Sequence, residues 1–424
     1  MIKNCFKPTL IFLIATLYIN LSFATNDSLL VLQNINVIDV ISGNLIKNVD
    51  VVITGNIIRK ITPYDSNTEY LNAQIVDSKG LFCIPGLVDS HVHLAEPIES
   101  LAFLLKNGIT TVRDMANDAE YLRNIINDID SGNSIGPNIY YSAVMAGKYF
   151  IESDRRVMAA TPGYFALGEA PWARKIDDQS DIAKVVKQAR DQGVCALKFY
   201  KDLSSAQVNK LTEEGHKQGL LIWAHATVYP ATCDQIINAG VDCISHYPYV
   251  LTADNFPEKL DPMRTFFDDD IIGFRKLETR LVQMKTSGIF FDPTIVASDQ
   301  LIKMVMANGA DEYIALGYYA IKRAHELGVP VVAGTDASVV INDTITLYYE
   351  LEALVNHVGF TPFEALQCAT INGAKVLHKE KIFGSIEVNK MADLVVLSKD
   401  PAVDIKNILS IKYVIKNGKI LFQY

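Results

Sequence analysis

The chain has 424 residues, of which 49% are hydrophobic and 21% are charged, so it is long enough for one large domain and one small domain. Lysine and arginine together number 39 against 48 aspartates and glutamates, which gives a net charge of −9. A negative surface does not favour phosphate backbones, and no Lys/Arg-rich run occurs. We therefore expect no nucleic-acid partner.

The first 24 residues have the organisation of a signal peptide. Lys3 and Lys7 give a positive start, residues 10–19 form a short apolar core, and Ser22-Phe23-Ala24 supplies small residues for cleavage. The alternative is a permanent N-terminal anchor, but this apolar core is shorter than the roughly 20 residues that a membrane span needs. No later stretch approaches a membrane span either. These features predict a secreted or periplasmic protein without a stable membrane span.

Five cysteines follow the signal peptide, an odd number without a C-x-x-C pair. They are Cys83, Cys195, Cys233, Cys243 and Cys368. This argues against a disulfide scaffold and favours burial as small hydrophobic residues. A bridge between Cys233 and Cys243 stays open in an oxidising compartment.

Both ends of the remaining chain are predicted to be strand-rich. Residues 25–84 contain short apolar runs separated by Gly-Asn turns, and residues 378–424 repeat the pattern, with Asn417-Gly418 as a hairpin signal. The predicted strands are Leu29–Leu32, Ile35–Ile38, Val49–Ile53, Ile57–Ile61, Gly384–Val388, Ala392–Leu397 and Ile411–Ile415. We expect the two terminal segments to pack together as a small β-sandwich domain.

Between them, residues 85–377 alternate strands with helices. Helix-capping signals support the helices, for example Ser204 or Ser205 as the N-cap of one helix and the Thr361-Pro362-Phe363-Glu364 capping box of another. The predicted strands are Leu87–His93, Ile109–Asp114, Asn138–Ala143, Ala196–Tyr200, Leu221–Ala226, Cys243–His246, Ile289–Pro293 and Val331–Thr335. Eight such units close into an α/β fold of the (β/α)8 TIM-barrel type, inserted into the terminal domain. The long connection over residues 144–180 contains aromatic residues, and we expect a lid there.

A metal site is predicted at the ends of the barrel strands. His91 and His93 alternate with Val92 on a strand, so both imidazoles point to the same face and can share one metal ion. His225 and His246 each follow a later apolar strand. Either histidine alone would be read as a buried core residue, but four imidazoles at one barrel mouth indicate a cation.

Asp336 ends the last apolar strand. A carboxylate in that position needs a partner, and a metal ion is the strongest one available. A metal lowers the pKa of bound water, and a nearby carboxylate can take the proton and pass it to the leaving group. We therefore assign Asp336 two roles, as a metal ligand and as the catalytic acid and base.

Lys198 lies in a strand that is too apolar to solvate an ammonium group. Burial lowers the pKa of a lysine and favours the neutral amine. A neutral lysine beside two divalent cations can react with carbon dioxide, and the resulting carbamate can bridge both ions. The alternative is a structural lysine that pairs with Asp202 or extends out of the barrel.

These residues, in this order, resemble the amidohydrolase superfamily over nearly the whole mature chain. The matching motifs are Pro85-Gly86-Leu87-Val88-Asp89-Ser90-His91-Val92-His93, Gly334-Thr335-Asp336-Ala337, Ala369-Thr370-Ile371-Asn372-Gly373-Ala374 and Ala392-Asp393-Leu394-Val395-Val396. A lysine followed by two separate histidines resembles the binuclear branch with prolidase-like dipeptidases and imidazolonepropionase-related enzymes. The resemblance implies two metal ions, usually zinc, and a carboxylated Lys198.

One segment departs from the prolidase-like pattern. Many such members carry Gly-Gly-His after the third strand to polarise the substrate carbonyl, whereas this chain has Ala143-Val144-Met145-Ala146-Gly147-Lys148. Tyr229, Tyr247 and Tyr249 lie just beyond metal-site strands and are candidates to replace that donor. Surface or packing roles are the alternative for each.

The sequence thus predicts a metal-dependent hydrolase in which a metal-bound hydroxide cleaves an amide C–N bond of a small peptide or cyclic amide. Two alternatives stay open, namely an esterase or lactonase on the same site and a non-catalytic binding protein. The expected partner is a small-molecule substrate. The sequence identifies neither the substrate nor the metal, and it leaves open whether the chain forms a homo-oligomer.

Overall fold

The computed structural model describes residues 28–94, 99–251, 271–306, 308–338 and 346–424, so the signal peptide predicted over residues 1–24 lies outside the described residues. The strands in these ranges are β1 (Leu29–Ile38), β2 (Leu45–Thr54), β3 (Ile57–Pro63), β4 (Gln74–Asp77), β5 (Phe82–Pro85), β6 (Leu87–His93), β7 (Ile109–Asp114), β8 (Asn138–Ala146), β9 (Glu169–Ala170), β10 (Ala173–Lys175), β11 (Ala196–Phe199), β12 (Leu221–His225), β13 (Cys243–Ser245), β14 (Phe290–Asp292), β15 (Ala337–Ser338), β16 (Leu394–Leu397), β17 (Ile411–Lys416) and β18 (Lys419–Gln423).

The helices alternate with the strands through the middle of the chain. They are α1 (Glu99–Lys106), α2 (Ala119–Asp130), α3 (Lys148–Ser153), α4 (Arg155–Ala159), α5 (Ile182–Arg190), α6 (Ser205–Lys217), α7 (Cys233–Asn238), α8 (Tyr247–Val250), α9 (Ile271–Ser287), α10 (Ile295–Val305), α11 (Ala310–Leu327), α12 (Thr346–Ala353), α13 (Pro362–Cys368) and α14 (Ile371–Lys375). A π-helical turn covers Leu354–Val358, and a 3-10 helix covers Ile405–Leu409. The capping box at Thr361 is formed, as predicted. Of the two predicted alternatives for the N-cap of α6, the structure has Ser204, which also forms a capping box with Gln207.

The two ends of the chain form one eight-stranded sheet in the order β18-β17-β16-β5-β1-β2-β3, with β4 beside β1. The pairing of β16 with β5 joins the C-terminal strands to the N-terminal strands, with Val395 opposite Ile84. A separate apolar core fills this domain. The expectation that the termini pack together is therefore confirmed.

Two strand predictions in this domain were wrong. Leu29–Leu32 and Ile35–Ile38 belong to one strand, β1, with an irregularity in its pairing between them. Residues 384–388 form no strand. Gly384 has a φ of +91°, which turns the chain, and a Cβ atom there would lie 2.5 Å from the Cβ of Ala374. The backbone then bonds locally, from the amide of Lys390 to the carbonyl of Glu387.

The central region forms the predicted barrel, in the order β14-β13-β12-β11-β8-β7-β6-β15. Its neighbouring strands are parallel, and β6, β7 and β11 are buried along their whole length, as expected for strands covered on both faces. The strands thus direct their C-terminal ends to one mouth.

The eighth strand is less regular than predicted. In place of a strand over 331–335, Val331 makes a single bridge to Phe291, and only the short β15 pairs with β6. Backbone bonds from Phe291 to the carbonyl of Pro330 and from Ser90 to the carbonyl of Ala333 still close the barrel. The chain comes so close to its neighbours here that a Cβ atom at Gly334 would lie 2.4 Å from Asp292 Oδ1.

The segment over residues 144–180 contains short helices and strands joined by turns. Strand β8 continues to Ala146, and β10 pairs with its end, Ala173 beside Val144. Between them lie α3, α4 and β9. Trp172 is buried and donates its Nε1–H to the carbonyl of Ala160, which holds this segment in place.

No disulfide joins the described cysteines, so the bridge between Cys233 and Cys243 that the sequence left open is not formed. Four of them are buried, namely Cys83, Cys233, Cys243 and Cys368, as expected for small hydrophobic residues, and Cys195 is half-buried. No helix in the described part of the chain combines the length and apolar character that a membrane span requires.

Candidate active site

The predicted site residues lie at the C-terminal ends of the barrel strands. His91 and His93 lie at the C-terminal end of β6, His225 is the last residue of β12, and His246 directly follows β13. Asp336 lies beside β6, since its amide donates to the carbonyl of His91. Parallel strands bring these residues to one mouth although up to 245 positions separate them in the chain.

Three of them form a compact cluster. Asp336 Oδ1 lies 3.1 Å from His93 Nε2 and 3.4 Å from His91 Nε2. One ligand atom from each of His91, His93 and Asp336 lies within 4.8 Å of the others. The imidazoles of His91 and His93 therefore point to the same face of the strand, as their alternation predicted. With the carboxylate of Asp336 they form a group that can hold a cation.

His225 and His246 extend this cluster across the mouth. The His246 ring centroid lies 5.0 Å from that of His91 and 4.7 Å from that of His225. His246 Nδ1 lies 2.8 Å from the hydroxyl oxygen of Thr294, which fixes the orientation of the ring. Both residues lie outside the three-residue cluster but line the same opening.

The electrostatics favour neutral imidazoles and an ionised carboxylate. Burial lowers the pKa of His91 to about 4 and holds those of His225 and His246 well below the ordinary value. For Asp336, burial would raise the pKa, but His91, His93 and His246 together hold it well below the usual range. These are the protonation states in which histidine and aspartate bind metal ions.

Lys198 is fully buried inside the barrel wall. Its Nζ donates to Ser245 Oγ over 2.9 Å, and burial lowers its pKa to about 8. Among the described residues, Lys198 does not pair with Asp202, whose carboxylate accepts from the amide of Tyr149. The neutral amine expected from the sequence is therefore accessible near neutral pH.

A buried charged pair beneath the cluster was missed by the sequence interpretation. Asp292, at the end of β14, lies 3.1 Å from Arg113 Nη2, and both side chains are fully buried. Asp292 Oδ2 also lies 2.7 Å from His91 Nδ1 and accepts from Ser245 Oγ over 3.1 Å. The available signal was a charged residue in each of two apolar strands, but nothing local showed that the two would meet.

Asp292 determines which nitrogen of His91 faces the opening. Burial would raise the pKa of Asp292, but His91 and Arg113 hold it below the ordinary value. An ionised carboxylate only accepts hydrogen bonds, so His91 Nδ1 must carry the proton, and His91 Nε2 presents its lone pair toward Asp336. A carboxylate behind a histidine is the usual support of a metal ligand.

These residues fit a divalent cation. Within the described part of the chain, the buried Nδ1 atoms of His93 and His225 have no hydrogen-bond partner. A buried polar atom without a partner is costly, and a metal ion would satisfy a ring nitrogen of this kind. The cluster could hold one ion through His91, His93 and Asp336.

Backbone strain is concentrated at the same mouth. His246, Thr294 and Asp336 have φ values of +71°, +46° and +51°. Residues other than glycine rarely adopt positive φ, and such positions cost about 1–3 kcal/mol each. The surrounding packing holds all three in place, and each contributes a polar side chain to the site.

The three candidate tyrosines have different positions. Tyr249 stacks on His225 with ring centroids 5.1 Å apart and lines the cavity at the mouth. Tyr247 is fully buried and donates to Asp299 over 2.6 Å, so the structure favours the packing alternative for it. Tyr229 is half-buried and precedes Pro230 through a cis peptide bond. It does not line the described cavity.

The chain belongs to the amidohydrolase family, whose sequence profile matches residues 82–421. It is 23% identical to ochratoxinase of Aspergillus niger over 89% of this chain and 84% of that protein. It is 24% identical to 5'-deoxyadenosine deaminase of Methanococcus maripaludis over 83% of each chain. Among solved structures, a Xaa-Pro dipeptidase with methionine bound in its active site has a TM-score of 0.73 at 22% identity, covering 94% of this chain and 100% of that one.

Family membership makes the chain a hydrolase, and together with these relatives it points to C–N bonds as the bonds that are cleaved. The family is generally dependent on two metal ions. The cluster of His91, His93 and Asp336 is a candidate for holding one of them.

Proposed function

We propose that the chain is a metal-dependent amidohydrolase that cleaves the amide C–N bond of a small peptide or cyclic amide. It would use two divalent cations, zinc in the first instance, held by His91, His93, His225, His246 and Asp336 and bridged by carboxylated Lys198. The observation that carries the proposal is the cluster of His91, His93 and Asp336, which opens onto two further buried, neutral imidazoles.

When bound, the cations would supply a Lewis acid for the scissile carbonyl and lower the pKa of a water molecule. The chain supplies the proton path. Asp336 is ionised, and its Oδ2 lies 3.8 Å from His246 Nδ1 on the side that is open to the cavity. It can therefore take a proton from the attacking water and deliver it to the leaving nitrogen.

Lys198 is suited to carboxylation because burial lowers the pKa of its amine to about 8. Ser245 holds Nζ in the barrel, and Ser245 is itself tied to Asp292. This chain of hydrogen bonds orients the amine without giving it a carboxylate partner. An amine held in this way is free to form a carbamate with carbon dioxide.

The test combines metal content with a substrate panel. Elemental analysis of active enzyme is expected to find two metal ions per chain, and one ion per active chain would reject the binuclear proposal. Dipeptides, cyclic amides, lactones and aryl esters are then compared on the enzyme before and after chelation and zinc reconstitution. Turnover of esters or lactones alone would favour the esterase alternative, and full metal content without turnover would favour a binding protein.

We also propose that the protein is secreted or periplasmic. The support is the pattern of residues 1–24, in which a positive start, an apolar core and small residues at the cleavage position follow one another. N-terminal sequencing of protein from the expressing cells is expected to begin at Thr25. A chain that retains residues 1–24 after export would instead indicate a permanent anchor.

A further inference from the structure

A cavity of about 130 Å³ opens beside the candidate metal residues. His225, His246 and Asp336 form one side of it. Among the described residues, the other sides combine one cation, Arg156, with an apolar wall from α10. Leu301, Ile302 and Val305 make up most of this wall. The cavity thus places one positive charge and one apolar surface next to the reacting centre.

Arg156 is held in a fixed orientation. It lies on α4, in the segment that connects β8 to β11. Its Nε and Nη2 donate to the carboxylate of Asp154 over 3.2 Å and 2.9 Å. Its guanidinium carbon lies 5.6 Å from the ring centroid of Tyr200. Asp154 and Tyr200 therefore fix the plane of the guanidinium without closing it on all sides.

One edge of this guanidinium remains available. Nη1 has no hydrogen-bond partner among the residues that the structure describes, and the side chain is 43% exposed. The fork of N–H donors in arginine matches a carboxylate, and a charge-assisted hydrogen bond of this kind is stronger than a neutral one. An arginine that is already oriented loses little entropy when it binds such a group.

We infer that Arg156 selects substrates that carry a free carboxylate near the scissile amide, while the wall of Leu301, Ile302 and Val305 takes an apolar side chain. The substrate class is then an N-acyl amino acid or a dipeptide with an apolar C-terminal residue, rather than a neutral cyclic amide. This inference rests on the proposed cleavage of a C–N bond. It adds to that proposal a residue, Arg156, that recognises the substrate carboxylate, which the candidate metal residues do not do.

The experiment measures binding separately from turnover. The probe is the ketomethylene analogue of N-benzoyl-L-leucine, in which CH₂ replaces the scissile N–H, so that it cannot be hydrolysed. Its partner is the same compound with the carboxylate reduced to an alcohol. Titration calorimetry on the metal-loaded enzyme gives the ratio of the two dissociation constants. We expect the carboxylate to bind about 10- to 100-fold more tightly, the range for hydrogen bonds to charged groups.

Three variants assign that preference to one residue. Arg156→Met removes the charge at similar length and is expected to bring the ratio to within about threefold of unity, whereas Arg156→Lys retains part of it. Arg155→Met is the matched control, because Arg155 is the exposed neighbour on the same helix and does not line the cavity. Circular dichroism establishes that each variant is folded.

A wild-type enzyme without preference for the carboxylate, or an Arg156→Met variant that keeps it, would overturn the inference. Turnover of N-benzoyl-L-leucine and N-benzoyl-L-leucinol separates this result from the proposed function. If both amides are cleaved at equal kcat/KM, the inference fails and the amidohydrolase proposal stands. If neither amide is cleaved while Arg156 still selects the carboxylate probe, the proposed function fails and the recognition role stands.

Discussion

Replacement of Asp292 by alanine is expected to destabilise the protein and to weaken metal binding at the same time. Asp292 is fully buried and accepts from three side chains, at 2.7 Å from His91, 3.1 Å from Arg113 and 3.1 Å from Ser245. Its removal leaves the buried charge of Arg113 without a counter-ion. Breaking a buried ion pair on one side typically costs about 3–5 kcal/mol.

Among the described residues, the remaining partners of Arg113 supply no other anion. Its Nε donates to the carbonyl of Ser90 over 2.5 Å, and its guanidinium carbon lies 4.7 Å from the ring centroid of Trp223. Neither the carbonyl nor the ring neutralises a full charge, so the cost should lie within that range. The double variant Arg113→Met with Asp292→Leu removes both charges and is expected to be more stable than Asp292→Ala alone.

Replacement of Asp292 is expected to weaken metal binding through its effect on His91. Without Asp292, Nδ1 of His91 loses the acceptor that keeps its proton and directs Nε2 toward Asp336. Loss of a carboxylate behind a metal-binding histidine typically lowers metal affinity by about 10- to 100-fold. The more conservative Asp292→Asn variant keeps an oxygen acceptor and is expected to show the smaller loss of the two.

Urea unfolding of the metal-free enzyme, followed by tryptophan fluorescence, measures the change in stability, and competition with a chelator measures the metal affinity. Asp299→Asn is a matched control, since Asp299 also accepts from two side chains, Tyr247 and Tyr318, but does not contact a candidate metal residue. It should leave the metal affinity unchanged. A loss below about 1 kcal/mol in Asp292→Ala, together with unchanged metal affinity, would refute the reasoning.

Three further predictions concern Lys198 and Asp336. Lys198→Ala is expected to lose activity and one or both metal ions, with partial recovery when short carboxylic acids are added with bicarbonate; full activity would show that the lysine is structural. Because burial lowers the pKa of Lys198 to about 8, its neutral fraction should rise from about one tenth at pH 7 to about nine tenths at pH 9. Reactivation of chelated enzyme by zinc at fixed dissolved CO₂ should therefore increase over that range, and a flat profile would contradict it. Asp336→Asn should lower kcat by roughly 10²- to 10⁴-fold, since the amide cannot accept the proton, while it keeps the fold and much of the metal. Wild-type turnover by metal-loaded Asp336→Asn would place the proton path elsewhere.

Local patterns determined much of the fold. The alternation of His91 and His93 on a strand, the burial of Lys198 in an apolar run and the N-caps of α6 and α13 depend on near neighbours in the chain. All three are found in the structure where the sequence placed them. The joining of the two terminal segments was also predictable, because strands that flank a closed barrel have no other surface on which to bury their apolar faces.

Other features depend on contacts between distant segments. Arg113 and Asp292 are separated by 179 positions and meet only because the barrel closes. The eighth strand is irregular because Gly334 lies against His91 and Asp292, a restriction that its own sequence does not show. Gly384 turns the chain out of a predicted strand for a similar reason, since it packs directly on α14.

The candidate site divides in the same way. The sequence by itself determined the chemical types of the groups, namely four imidazoles, one lysine and one carboxylate, because strand ends in a parallel barrel share one mouth. The tertiary structure decided which atoms face the opening. Asp292 sets the proton position on His91. Tyr247, the first residue of α8, packs against Gly317 of α11, while Tyr249 lines the cavity. Arg156 reaches the same cavity from α4, in the segment between β8 and β11. No local sequence pattern specifies the path of this segment, because side-chain direction and long-range packing are fixed only when the whole chain has folded.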